Sequence, residues 1–335
     1  MRSLTTPGKA GSNNFSHTEV VMNTFNGYTR SARRFAIAVM AMMTLVLGPA
    51  LTSAYAAQTS FSSPEEAVDA LLAAVRSGDR NDLLKLFGPG GEKILFSGDK
   101  VADKSSLDRF VAEFNQGHKI VNQGDARAML YLGKDEWPLL IPIVKQGTVW
   151  KFDTKAGEED LLDLRIGRNE LAVMKVLLAY VAAQREYYLA DPNGDGVLEY
   201  ATKFHSTAGK KDGLYWPAKA GEPQSPMGPL VAGARAEGYA VKKGKPAPYH
   251  GYYFRILKAQ GKDAKGGAYD YLAKGHMIGG FALVAYPARY GVSGVKSFIV
   301  NHDGVVYEMD LGANTVNIAG KMPSFNPGEG WSKAQ

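Results

Sequence analysis

The chain has no cysteine in its 335 residues. Disulfides, thiolate metal sites, cysteine nucleophiles and a lipid-modified cysteine are therefore excluded, and the fold must rest on its core alone. Familiar catalytic signatures are missing as well: there is no H-E-x-x-H, G-x-S-x-G, P-loop or dinucleotide fingerprint. Histidine is scarce. Each of His118, His205, His250, His276 and His302 stands without a neighbouring acid at metal-ligand or catalytic spacing, and reads as structural or surface. The glycine pairs Gly266-Gly267 and Gly279-Gly280 lack the strand-to-helix context of a phosphate cradle. No catalytic residue is assigned.

Basic residues exceed acidic ones by 39 to 33, but five of the basic and one of the acidic residues lie within 1–56, so the remainder carries a net +2. The basicity belongs to a leader, and nucleic acid is not an expected partner. Arg30, Arg33 and Arg34 precede an apolar run of 13 residues, Phe35 to Leu47, which Gly48-Pro49 interrupts before Ala54-Tyr55-Ala56. This order is that of a secretory signal with an A-x-A cleavage site, and a start at Met22 would give it a conventional length. The run is shorter than the roughly 18–20 residues of a spanning helix. An uncleaved anchor is the alternative. The expectation is a protein exported to the periplasm or beyond, with no membrane span after signal removal.

Downstream, the patterning predicts an α+β fold. Ser62-Ser63-Pro64-Glu65-Glu66 opens a helix, with Ala67, Val68, Leu71, Leu72 and Val75 on its apolar face. Leu83 to Phe87 forms a second helix, and Ser106 caps a third. Strands are expected at 128–132, 138–144 and 148–152, then a long helix over 157–189 that Gly167 could divide. From 205 to 247 the sequence is rich in Gly, Lys and Pro, with one short helix at 229–237. Strands resume at 252–257, 280–286, 295–300 and 305–310, the last two joined by an Asn301-His302-Asp303-Gly304 turn. The expected organisation is a signal at 1–56, an N-terminal α+β domain at 57–156, a linking helix at 157–189, a C-terminal α+β domain at 190–313 and a loosely packed tail at 314–335.

Several segments resemble one family. Lys151-Phe152-Asp153-Thr154, Arg165-Ile166-Gly167-Arg168-Asn169-Glu170-Leu171 and Gln184-Arg185-Glu186-Tyr187-Tyr188 look like the domain-of-unknown-function 2950 family of exported bacterial proteins. So do Asp195 to Ala201, Gly251 to Phe254 and Asp303 to Tyr307. The resemblance spans nearly all of the chain after the leader and implies export, with no activity to carry over. Two broader likenesses are of fold. Helices followed by a meander resemble the nuclear-transport-factor-2-like cones, which often enclose a pocket. The order Ala183-Gln184-x-x-Tyr187, Tyr200-Ala201, Gly251–Phe254 and Gly291–Tyr307 resembles type IV pilin-like and pseudopilin-like heads, though without a prepilin cleavage site.

One local constellation suggests a metal. Asp191, Asn193 and Asp195 place oxygen ligands at positions 1, 3 and 5 of a calcium loop, with Gly196 at the sharp turn and Glu199 beyond. The twelfth position is Thr202, where a bidentate Glu belongs, and the same residues make an ordinary turn at a helix end. Tyrosines from Tyr187 to Tyr290, with Trp216, read either as a groove for sugar or peptide or as sheet packing. The leading functional expectation is a non-enzymatic binding or scaffold protein whose partner is an envelope protein or cell-wall component. A small-molecule or hydrolytic pocket in the N-terminal cone is the alternative, and a Ca²⁺-stabilised module is the third.

Overall fold

The computed structural model describes residues 57–240 and 246–334. The expected signal lies outside the described residues. The fold is α+β, as the sequence predicts. Four helices come first: α1 (Pro64–Ser77), α2 (Arg80–Phe87), α3 (Gly91–Leu95) and α4 (Lys100–Gln116). The strands β1 (His118–Asn122), β2 (Arg127–Leu132), β3 (Trp137–Pro138), β4 (Ile143–Gln146) and β5 (Val149–Phe152) form an antiparallel sheet in the order β1-β2-β4-β5, with β3 on β2. Its core has Phe61, Leu71, Leu83, Phe87, Leu130 and Phe152 among its buried members. Phe87 and Phe152 pack with ring centres 5.2 Å apart, and Phe61 meets Phe152 edge-on at 6.4 Å.

Helix α4, the third that the sequence predicts, starts earlier than its sequence suggests. Asp99, not Ser106, is the cap: its carboxylate accepts from the backbone N–H groups of Val101 and Ala102. Ser106 sits inside the helix, where its hydroxyl donates back to the Ala102 carbonyl. His118 opens β1, and its ring stacks on Phe114 at 3.7 Å.

Helix α5 (Thr154–Ala190) is continuous for 37 residues, on the order of 55 Å, and Gly167 does not divide it. Asp153 caps it and the Thr154 hydroxyl donates to the Phe87 carbonyl at 2.6 Å, which fixes its start on the first core. Farther along, Val173, Leu177, Tyr180 and Tyr187 join the second core. No helix among the described residues is long and apolar enough to cross a membrane.

The second sheet is antiparallel. It begins with β6 (Tyr252–Leu257), and four short strands follow as two small pairs: β7 (Ala259–Gln260) with β8 (Tyr269–Asp270), and β9 (Leu272–Ala273) with β10 (His276–Met277). Then come β11 (Ala282–Pro287), β12 (Lys296–Asn301), β13 (Val306–Asp310) and, near the C-terminus, β14 (Ser332–Lys333), in the spatial order β14-β13-β12-β11-β6. Strand β11, between β12 and β6, is buried at five of its six positions, as expected of a strand covered on both faces.

The tail is not loose. Helix α7 (Thr315–Gly320) packs on β11, Phe325 is 2% exposed, and β14 pairs with β13. Phe325 is held at backbone level, its N–H donating to the Ala259 carbonyl and its carbonyl accepting from Gly261. The Gly- and Pro-rich composition of this segment hid a register fixed by backbone bonds to distant strands.

Candidate functional site

Among the described residues between 191 and 251 there is little regular structure apart from one helix, α6 (Gly228–Ala236). This segment roofs the second core. Its first arm is tied to itself: Leu214 donates to the Lys203 carbonyl, Tyr215 to the Phe204 carbonyl and Ser206 to the Tyr215 carbonyl. Asp212 clasps the loop, accepting from Lys203 at 2.7 Å and from the Thr207 backbone at 2.7 Å. These bonds outweigh the cost of its burial and bring its carboxyl to about 2. The Met227 N–H donates to the Leu214 carbonyl, which seats α6, and Pro229 occupies the first turn of that helix.

Under this roof lies a cavity of about 420 Å³, within the 300–1,000 Å³ usual for small-molecule sites. Its floor is Val176 and Tyr180 of α5 with Phe254 and Leu283 of the sheet. Leu230, Val231 and Ala234 of α6 form one wall, and Phe204, Tyr215 and Tyr249 another. The polar groups are few. Tyr180 is spoken for, its hydroxyl accepting from Gln184 at 2.9 Å and lying 3.4 Å from the Ala282 carbonyl. Burial and then the Glu237 carboxylate raise the Tyr249 phenol to about 12, so it remains a neutral donor. His205 is lowered by loss of hydration and then by Arg235, which favours a neutral imidazole. Arg235 lies 5.3 Å above the Tyr215 ring, and among the described residues it has no carboxylate partner.

Tyr239 connects this wall to the first half. Its hydroxyl donates to Asp99 at 2.8 Å, and the same carboxylate oxygen accepts the Gly251 N–H at 2.9 Å. Asp99 is 1% exposed, so the cap of α4 is also the buried anchor of the cavity wall. Gly251 is required here: its φ is +75°, and a Cβ would come within 2.7 Å of the Asn169 amide.

The residues that carry the family resemblance act as fasteners. Arg165 donates to the Lys93 and Ile94 carbonyls at the end of α3. Asn169 donates to the Ser293 carbonyl at 2.9 Å, and Glu170 accepts from the backbone of Val295 and Lys296, each at 2.9 Å. Gln184, fully buried, both donates to and accepts from the Ala201 backbone.

The predicted cation loop is partly assembled. Asp191 ends α5 in a left-handed conformation and accepts from Gly196 N, while Asp195 accepts from Val197 N. The Asn193 amide nitrogen bridges Asp195 and Glu199 at 2.9 and 3.0 Å. His276, from β10 and absent from the sequence expectation, approaches Glu199 at 3.0 Å. Donor atoms of Asp195, Glu199 and His276 lie within 4.8 Å of one another. One imidazole nitrogen with carboxylates is a donor set for Zn²⁺-type ions more than for Ca²⁺, which prefers oxygens.

Of the aromatic residues, Tyr215 and Tyr249 line the cavity, whereas Tyr252 and Tyr271 fill the core. Sequence reasoning missed Val231 and Arg235, because the 205–247 stretch carries no periodicity to show what it faces, and Tyr180 and Phe204, because nothing local showed that a cavity opens above them.

No curated protein and no solved structure matches the chain, so the cone-like and pilin-like likenesses rest on sequence order alone. A family match covers residues 58–334, and the chain belongs to the family described as Protein of unknown function (DUF2950).

Proposed function

We propose that this protein is an exported, non-enzymatic binding protein that takes a small, largely apolar molecule into the aromatic cavity of its C-terminal half. The carrying observation is the aromatic and aliphatic lining of this cavity, supplied by side chains of α5, α6 and the second sheet. Aromatic and aliphatic walls with a few convergent polar groups are the usual build of a ligand site. The leader sequence supports work in the periplasm or outside the cell, where its partner would be an envelope protein or cell-wall component. The test is a neutral naphthylamine dye titrated into the mature protein. Saturable enhancement of its fluorescence is expected, together with its loss in Ala234→Trp, which fills the cavity from α6. Equal dye binding by that variant would contradict the reading.

A second reading is supported by the donor cluster: a divalent cation held by Asp195, Glu199 and His276, beside Asp191 and Asn193, would fasten the loop after α5 to β10. Metal that binds only the folded state raises the melting temperature. A rise with Zn²⁺ or Ca²⁺ that is reversed by chelator and absent in His276→Ala is expected. No change at millimolar metal would remove it.

A further inference from the structure

The cavity wall has a sign. Among its described lining residues the groups that carry or gain positive charge near neutrality are Arg235 and His205, and none is Asp or Glu. Arg235 stands on the last turn of α6, with its guanidinium over the Tyr215 ring. An arginine stacked on an aromatic face is oriented, and its fork of N–H donors fits a planar carboxylate in a bidentate pair. It also lacks a carboxylate partner among the described residues, unlike Arg80, which pairs with Glu92. His205 and Tyr215 lie edge to face at 5.6 Å, and the guanidinium is near enough to lower the affinity of the imidazole for a proton. Deeper in, the surfaces of Val176, Leu230, Val231, Phe254 and Leu283 offer no group to a charge. The site is thus apolar at depth and cationic at one edge.

Resting on the cavity reading above, we propose that the ligand is a single-chain amphiphile with a carboxylate head, its apolar tail between α6 and β11 and its head on Arg235 beside His205. A carboxylate is favoured because, among the described lining residues, Arg235 carries the one full positive charge and its planar fork matches a single carboxylate. The Tyr249 phenol is the further donor available to the head. Chain length is limited by the cavity volume, which suits a medium-length tail better than a two-chain lipid.

Decanoate, decanol, decyl phosphate and decyltrimethylammonium, each below its micelle threshold, would be titrated against the neutral dye in the mature protein. Decanoate is expected to compete about tenfold more tightly than decanol, the effect of one charge-assisted hydrogen bond at a partly open site. The ammonium should be the weakest competitor. Arg235→Gln should erase the decanoate advantage and leave decanol unchanged, while Arg235→Lys should restore part of it. An unchanged melting temperature in both variants would show that the loss is not unfolding. Equal competition by decanoate and decanol would overturn the carboxylate head and leave the cavity reading standing. Tightest binding by decyl phosphate or by the ammonium would overturn it in favour of that head. Dye binding that no alkyl probe displaces would also overturn it, and no dye binding at all would overturn both readings.

Discussion

The two halves of the described chain use aromatic residues in opposite ways. In the first, Phe61, Phe87 and Phe152 are pressed together between short helices and a sheet, and the hollow of that half, lined by Ala70, Ala74, Asp82 and Lys85, contains none of them. In the second, Phe204, Tyr215 and Tyr249 stand around an opening above β6 and β11. The difference follows from what covers each sheet. Periodic helices place an apolar residue every third or fourth position and close onto a sheet without gaps. The cover of the second cavity is mostly irregular chain, held by discrete bonds such as Asp99 to Tyr239 and Asp212 to Thr207. Such bonds fix a wall at a distance from the floor instead of collapsing onto it.

The sharpest way to break this comparison is a matched pair of truncations. Phe152→Ala, at a site 2% exposed in the first core, should cost about 3–5 kcal/mol in urea unfolding. Tyr249→Ala in the cavity wall should cost about 1 kcal/mol or less, because the wall already lacks packing on one side. Equal losses would mean that the second half is packed as tightly as the first.

The tie between the halves comes next. Asp99→Ala leaves the Tyr239 hydroxyl, the Gly251 N–H and the first turn of α4 without their acceptor. A loss of about 2–3 kcal/mol is expected, together with weaker dye binding because Tyr239 belongs to the cavity wall. A stability loss with dye affinity intact would show that the wall holds without the first half.

A smaller effect comes from acid. His205, His250 and His302 are all lowered from 6.5, each chiefly by desolvation. The unfolded chain therefore binds more protons than the folded one below that value. Stability is complete above the ordinary histidine range and declines as pH falls through the lowered folded values. The melting temperature should be lower at pH 5 than at pH 7.5, and His302→Asn should reduce the difference. His302 is informative because its Nδ1 is buried without a hydrogen-bond partner. A melting temperature that rises on acidification through this window would contradict the assignment.

How far the sequence was legible tracks the same division. Helix starts with a Ser or Pro signal, such as Pro64, and strands with β-branched runs, such as 296–301, were readable because their signals are local. The true cap at Asp99 was not, since Ser106 offered an equally good local signal and only the contact with Tyr239 and Gly251 distinguishes them. The Asp191–Glu199 loop was visible as a cluster of ligands, but His276 arrives from 77 residues away. The cavity was hardest to read. The family segments around Arg165, Asn169, Glu170 and Gln184 turned out to fasten α5 to its neighbours, so the residues that stand out in the sequence are not those that line the opening.

The central claim is that ligand enters the second half and not the first. Methyl-resolved NMR during a decanoate titration tests it directly. The account expects saturable shifts at Val176, Leu230, Val231 and Leu283, with Leu71, Leu83, Leu130 and Ile143 unmoved. Shifts centred on the N-terminal methyls, or none at any of these positions up to the micelle threshold, would contradict it.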